Sequence, residues 1–275
     1  MNLKDYLICP ICSCSFSLME NALKCENRHS FDISSSGYVN LLKPGKMNNA
    51  KAGDSKEMIQ ARTAFLNTDS YLPIKEFVCN ICSELNSSVI IDAGCGQGYY
   101  TEGVAKSISN SKVIGFDMSK YGCEAGAKSA KRNNINNVLY SVSSIFEMPV
   151  SSECADTIIN MFAPVADKEF FRVLKHGGYL IVASSGEKHL NGLKSVLYDE
   201  TYDNEVKISE YQGFNLIQVK NLTYDCNIYG KEAIYNLFSM TPYFHRTSPS
   251  DKKKLDEVDE IKTTIDVNFS IYKKI

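Results

Sequence analysis

The chain has 275 residues, enough for one large domain with a small appended module. Its 44% hydrophobic and 23% charged content excludes wholesale disorder, and no apolar run reaches the ~18 residues of a membrane span. A formal net charge of −2 gives no global pull toward nucleic acid, so any such binding needs a local patch.

The N-terminus, MNLKDYLICPIC, lacks the basic-then-apolar plan of a secretory signal, which points to a cytoplasmic protein. Ten cysteines are therefore not expected to form a disulfide framework, because cytosolic thiols stay reduced. Their placement is more informative. Cys9, Cys12, Cys14 and Cys25 fall in the first 25 residues, and Cys9-x2-Cys12-x12-Cys25-x3-His29 offers three thiolates and an imidazole. Close spacing within each pair lets a tight turn aim two ligands at one ion, and the gap between pairs fits a short hairpin. Tetrahedral Zn2+ with Cys3His ligation is the natural occupant, and four filled positions make the site structural. Cys14 is the rival ligand, poorly placed one residue beyond a neighbour of Cys12. A region this small cannot bury an adequate core, so metal binding is expected to supply its folding free energy, on the order of 10 kcal/mol, with a core separate from the rest of the chain.

The chain divides into a zinc-binding module at 1–42, a basic linker with connecting helices at 43–87, and a main domain at 88–275. Residues 43–54, KPGKMNNAKAGD, are polar and lysine-rich and read as a linker or basic loop. Ser55 can cap a helix carrying Met58, Ile59, Arg62 and Phe65, and a second helical stretch runs from Pro73 to about Leu85. Short β-branched runs follow at Val89–Asp92, Val113–Asp117, Val138–Val142, Ala155–Asn160 and Tyr179–Ala183. Helical stretches at Tyr99–Ile108, Lys120–Arg132 and Asp167–Leu174 alternate with them, the pattern of a parallel α/β sheet covered on both faces. Strand patterns at Phe214–Ile228 and Asp266–Lys273, with a helix near Lys231–Met240 between them, predict a closing antiparallel hairpin. A second C-x-x-C, Cys79 to Cys82, lies in a helical pattern without a companion pair and reads as core thiols.

Ile90-Ile91-Asp92-Ala93-Gly94-Cys95-Gly96-Gln97-Gly98-Tyr99-Tyr100-Thr101 leaves a strand, crosses a glycine-rich turn and enters a helix. The spacing is G-x-G-x-G, unlike the G-x-G-x-x-G of a pyrophosphate cradle. Asp92 inside the turn favours a ligand with an amino or sulfonium group over a phosphate. Asp117 ends the next strand, where a carboxylate can accept ribose hydroxyls. Acid-x-Gly-x-Gly-x-Gly with an acid after the second strand resembles the class I S-adenosylmethionine-dependent methyltransferases, with a Rossmann-like sheet.

The segments around this loop make the resemblance more specific. Cys9-Pro10-Ile11-Cys12, Cys25-x3-His29-x-Phe31-Asp32 and Gly37-Tyr38-Val39-Asn40-Leu41-Leu42 are similar to the zinc region of the zinc-containing 23S rRNA guanine-N1 methyltransferases. Gly53-Asp54-Ser55-x-x-Met58-x-x-Ala61-Arg62-x-x-Phe65-Leu66, Tyr71-x-Pro73, Ala163-Pro164, Gly186-x-x-His189-Leu190 and Met240-Thr241-Pro242 continue the match in order. The resemblance implies methyl transfer to a guanine in a 23S rRNA stem-loop, an RNA-recognising zinc module and a homodimer. It carries over Tyr71, Tyr100, Thr101 and His189 as cofactor contacts, beside Asp92, Gly94, Gly96 and Asp117 from the general pattern. The chain departs from the family at Gln97, His176, Glu187 and His245, and it has no tryptophan.

Guanine N1 lies on the Watson–Crick edge, so its methylation needs an unpaired or flipped base, and Phe162, Tyr99 or Tyr100 offers a plane to hold it. Asn160 is read either as a contact to the base edge or as a strand-end cap. Basic side chains for phosphate are Arg28, Lys43, Lys46, Lys51 and Arg62. The competing readings are a small-molecule methyltransferase with a zinc accessory module and a non-catalytic RNA-binding protein.

Overall fold

The four metal-ligand positions organise the first forty residues. Strands β1 (Phe16–Met19), β2 (Ala22–Cys25) and β3 (Ser30–Asp32) form a three-stranded antiparallel sheet between and behind the ligand pairs. The computed structural model describes residues 3–43 and 53–275, so Lys46, Lys51 and most of the expected basic loop lie outside the described residues. Strand β4 (Val39–Asn40) then leaves the ribbon and pairs in parallel with the main sheet.

Past residue 53 the expected alternation appears. Helix α1 (Lys56–Leu66) starts at Ser55, whose hydroxyl accepts the Met58 N–H at 3.2 Å, and α2 (Leu72–Glu84) follows with Pro73 in its first turn. Then come β5 (Val89–Ala93), α3 (Tyr99–Ser107), β6 (Lys112–Asp117), α4 (Lys120–Arg132), β7 (Val138–Val142), β8 (Ala155–Met161), α5 (Asp167–Val173), β9 (Leu174–Ser185) and α6 (Asn191–Leu197). Strand β10 (Phe214–Tyr229), α7 (Lys231–Ser239) and β11 (Glu260–Lys274) close the chain. The main sheet has eight strands in the order β10-β11-β9-β8-β5-β6-β7-β4. Its centre is parallel, and β11 inserts antiparallel between β9 and β10, as the expected terminal hairpin requires.

Side chains alternate along the strands between two cores. Ile90 and Val113 face the cluster of Phe65, Ile74, Val104 and Leu193, supplied by helices. Ile91 and Ile114 face the opposite cluster, where Leu7, Leu23, Val39 and Leu41 of the zinc module pack with Phe170 and Val173. The module therefore has no separate core, contrary to the expectation from its size; it roofs one face of the sheet as a helix would. Leu7 also bridges to Val150, and the Ile8 N–H donates to the Pro149 carbonyl at 2.9 Å. Among the described residues no helix is long and apolar enough to cross a membrane.

Candidate functional site

The metal-ligand set expected from spacing converges. The thiols of Cys9, Cys12 and Cys25 and the imidazole of His29 lie within 4.8 Å of one another. The Cys12 and Cys25 sulfurs are 3.6 Å apart, and His29 Nδ1 lies 3.5 Å from Cys9 Sγ and 3.4 Å from Cys25 Sγ. Ligands on a tetrahedral ion with Zn–S bonds of about 2.3 Å sit ~3.5–3.8 Å apart, so the donors present fit structural zinc, held through the Nδ1 face of His29. Cys14 is set aside: its sulfur lies 3.6 Å from the Cys12 carbonyl and accepts from Asn27. A hydrogen bond with Glu26 pushes its thiol up to about 12, and its sulfur lies outside the cluster of four ligand atoms.

The second site lies at the carboxyl ends of β5, β6, β8 and β9, as expected for a ligand crevice in an open α/β sheet. A cavity of about 1120 Å³ opens there. Its floor is the turn after β5. Gly94 has φ of +89°, and a Cβ on it would stand 2.6 Å from that of Ala163, so only glycine lets the β5 and β8 turns meet. Asp117 is locked by its neighbours: Oδ2 accepts the Gly96 N–H at 2.8 Å and Oδ1 the Ser119 N–H at 2.7 Å. Burial raises its pKa, and Arg62 opposes that shift. The carboxylate thus holds the loop's shape and still presents lone pairs to the cavity.

Asp92 and Thr101 sit beneath the loop rather than on the cavity lining. The Thr101 hydroxyl donates to Asp92 Oδ2 at 2.6 Å, while Oδ1 is buried with no hydrogen-bond partner. Burial pushes this carboxyl up to about 7. An unpartnered buried carboxylate oxygen is costly, and a positively charged ligand group bound above the loop would lower that cost by favouring the ionised form. Tyr71, Tyr100 and His189 all line the cavity. Tyr71 packs edge-on against Phe65 at 5.2 Å, and its ring lies 6.4 Å from that of His189. His189 Nδ1 accepts the Asp266 N–H at 3.2 Å, which puts the ring proton on Nε2, and burial lowers its pKa to about 4. It is a neutral donor.

Of three further parts of the site, two were legible only in part and one not at all. The Asp54 carbonyl accepts from the Ser119 hydroxyl at 2.8 Å and its carboxylate pairs with Arg62, so the connecting segment walls the cavity beside Gly96 and Asp117. Arg62, read from sequence as a phosphate contact, pairs here with Asp54. Asn160 is fully buried; its amide donates to the carbonyls of Ala93 and Pro164, both at 3.1 Å. It braces the β5 and β8 turns against each other, which favours the cap reading over a base contact. Residues 198–211 form a strap without helix or strand that lines the cavity through Tyr202, Asn204 and Tyr211. Lys194, buried in α6, fastens it by donating to the Tyr202 carbonyl at 2.8 Å and Asn204 Oδ1 at 3.3 Å. Asn204 in turn donates to the carbonyls of Gly186 and His189. The Gly53–Arg62 motif signalled the wall; nothing in the sequence signalled the strap.

Comparison with known proteins agrees with this geometry. The family described as "Methyltransferase domain" matches residues 84–240, and the one described as "RlmA, N-terminal", a zinc ribbon, matches residues 7–49. A curated relative from Streptomyces fradiae, 23S rRNA (guanine(748)-N(1))-methyltransferase, is 30% identical over 71% of this chain and 69% of its own length. A Bacillus subtilis relative, provisionally assigned as a 23S rRNA (guanine-N(1)-)-methyltransferase, is 27% identical over 96% of this chain and 95% of its own. Among solved structures, the YcgJ protein of Bacillus subtilis aligns with a TM-score of 0.47 and 18% identity, over 70% of this chain and 96% of that one. The protein is an S-adenosylmethionine-dependent methyltransferase with a structural zinc ribbon, and the chain belongs to the zinc-ribbon 23S rRNA (guanine-N1)-methyltransferase family.

Proposed function

We propose that this protein methylates N1 of a guanine in a stem-loop of 23S ribosomal RNA, acting in the cytoplasm as a homodimer. The observation that carries the reading is the union of ribbon and cavity. The zinc module packs on the sheet itself, and the connector that follows it reaches the cofactor loop through Asp54 and Arg62. A module that grips RNA would thereby be held in fixed relation to the reacting centre. The size of the cavity supports the same reading. At about 1120 Å³ it exceeds the ~300–1,000 Å³ of a site for one small ligand, leaving room for a cofactor and a flipped base. The named activities of the relatives at 27–30% identity point the same way.

In this reading residues 1–42 serve recognition, 43–87 connect, and 88–275 hold the chemistry. Bound S-adenosylmethionine supplies a methyl group already activated on a sulfonium. Asp117 would accept the ribose hydroxyls, Gly94 and Gly96 would let the backbone close on the ligand, and Asp92 would offset its positive charge from beneath the loop. Thr101 acts at one remove, by orienting Asp92. Tyr71, Tyr100 and the Nε2–H of neutral His189 contact the polar end of the cofactor. Alignment of N1 with the methyl group then contributes most of the acceleration.

The test is transfer of labelled methyl to transcribed, unmodified 23S rRNA, followed by reverse transcription. N1 methylation removes the N1–H donor, so copying should stop or misincorporate at a single guanine, only with enzyme and cofactor together. Label in the RNA without a strong stop would overturn the N1 assignment, and label only in small molecules would overturn the RNA assignment.

A further inference from the structure

Phe162 has a backbone that a bulky side chain rarely adopts. Its φ is +56°, left-handed, at the end of the central strand β8. Such a conformation persists only where its surroundings enforce it, and strain of this kind clusters at ligand sites. The enforcement is visible: Asn160 ties this turn to Ala93 and Pro164, and the Phe162 N–H donates to the Ala183 carbonyl at 3.2 Å. The strain gains no burial for the ring, which remains 41% exposed and lines the cavity. One face of the ring lies nearly parallel to His189, with centroids 6.1 Å apart and an interplanar angle of 24°. The two other aromatic planes suggested by the sequence are less suited. Tyr99 lies under the Lys75 ammonium with its hydroxyl buried, and Tyr100 is half-buried, its ring edge-on to that of Tyr99 at 5.2 Å.

We propose that Phe162 is the stacking platform for the target base, its free face holding the flipped purine with the reacting edge toward the methyl group. The inference rests on the RNA reading above and adds to it the residue that holds the base. Stacking on an aromatic ring is sequence-tolerant, so Phe162 fixes the plane of the base, and base identity must be read elsewhere.

The experiment uses the full chain with Phe162→Leu and Phe162→Trp. Because the chain has no tryptophan, Phe162→Trp also installs a single fluorescent reporter. Phe162→Leu should cut methyl transfer to the 23S transcript about 100-fold while changing cofactor affinity by less than about twofold, as expected when stacking on the base is lost. Phe162→Trp should restore most of the rate, and its emission should be quenched by unmodified transcript but not by S-adenosylhomocysteine alone. Undiminished transfer by Phe162→Leu, or quenching by the cofactor product without RNA, would overturn the platform while leaving the RNA reading intact. Failure of the wild-type protein to methylate the transcript would overturn the RNA reading, and the platform with it.

Discussion

Asp92 combines two burdens that oppose each other. Its carboxyl is buried, one oxygen lacks a partner, and its pKa is raised to about 7. A cofactor ammonium favours the ionised form, so binding below pH 7 must release a proton. Cofactor affinity should therefore weaken as pH falls through 7, by up to about tenfold per unit. Calorimetry at pH 6 in buffers of different ionisation heat would register the released proton, and a pH-independent affinity would remove Asp92 from the cofactor's surroundings. The sign for stability is opposite to that for binding. The folded pKa lies above the unfolded one, so the protonated acid's contribution is full below about pH 4 and is lost as pH rises through 7. Asp92→Asn should thus raise the melting temperature at pH 8 while impairing cofactor binding, a trade of function against stability. Asp117→Ala and Gly96→Val should each abolish cofactor binding and leave zinc content unchanged, as titration and metal analysis would show. The first also strips an acceptor from the Gly96 and Ser119 N–H groups, and the second forces a β-branched residue to φ of +53°.

At the scale of elements, legibility followed local pattern. Strands β5 to β8 are short runs rich in β-branched and apolar residues, and α3 and α4 begin where glycine or serine ends a turn, so their bounds fall within a residue or two of those expected. The zinc ligands were legible because spacing alone restricts where they can point. What escaped was set by distant partners. Strand β9 begins at Leu174 rather than Tyr179, because Leu174 pairs with Ala155 across an irregularity that no local signal encodes. The strap at 198–211 has no period to read; it is ordered by the Lys194 ammonium and the Asn204 amide. Lys194→Met should release it, leaving the Tyr202 carbonyl and Asn204 Oδ1 without their donor, at about 1–3 kcal/mol per unsatisfied group. Limited proteolysis within 198–211 should speed up, with the KM for substrate rising before the melting temperature changes greatly. Unaltered cleavage would mean that the Asn204 amide and Tyr272, which donates to the Ser209 carbonyl at 2.8 Å, hold the strap without Lys194.

For the whole molecule the shared core between ribbon and sheet is decisive. If Leu7, Leu23, Val39 and Leu41 roof the sheet, the zinc site stabilises more than its own forty residues. Cys25→Ser should remove about one zinc per chain and lower the melting temperature of the entire protein in a single transition. Two transitions, with the sheet melting at its original temperature, would instead restore the picture of independent units.

The pairing of β4 with β7 also dictates an order of events during synthesis. Val39 emerges from the ribosome about a hundred residues ahead of its partner Ser141, a lag of some 5–20 s at ordinary elongation rates. For that interval the ribbon's inner face has no sheet to cover. Its three thiolates and imidazole, all present by residue 29, can already hold an ion and keep the nascent hairpin in shape. The metal thus acts as a clasp in time as well as space, preserving a folded edge until the strand it must join has been translated.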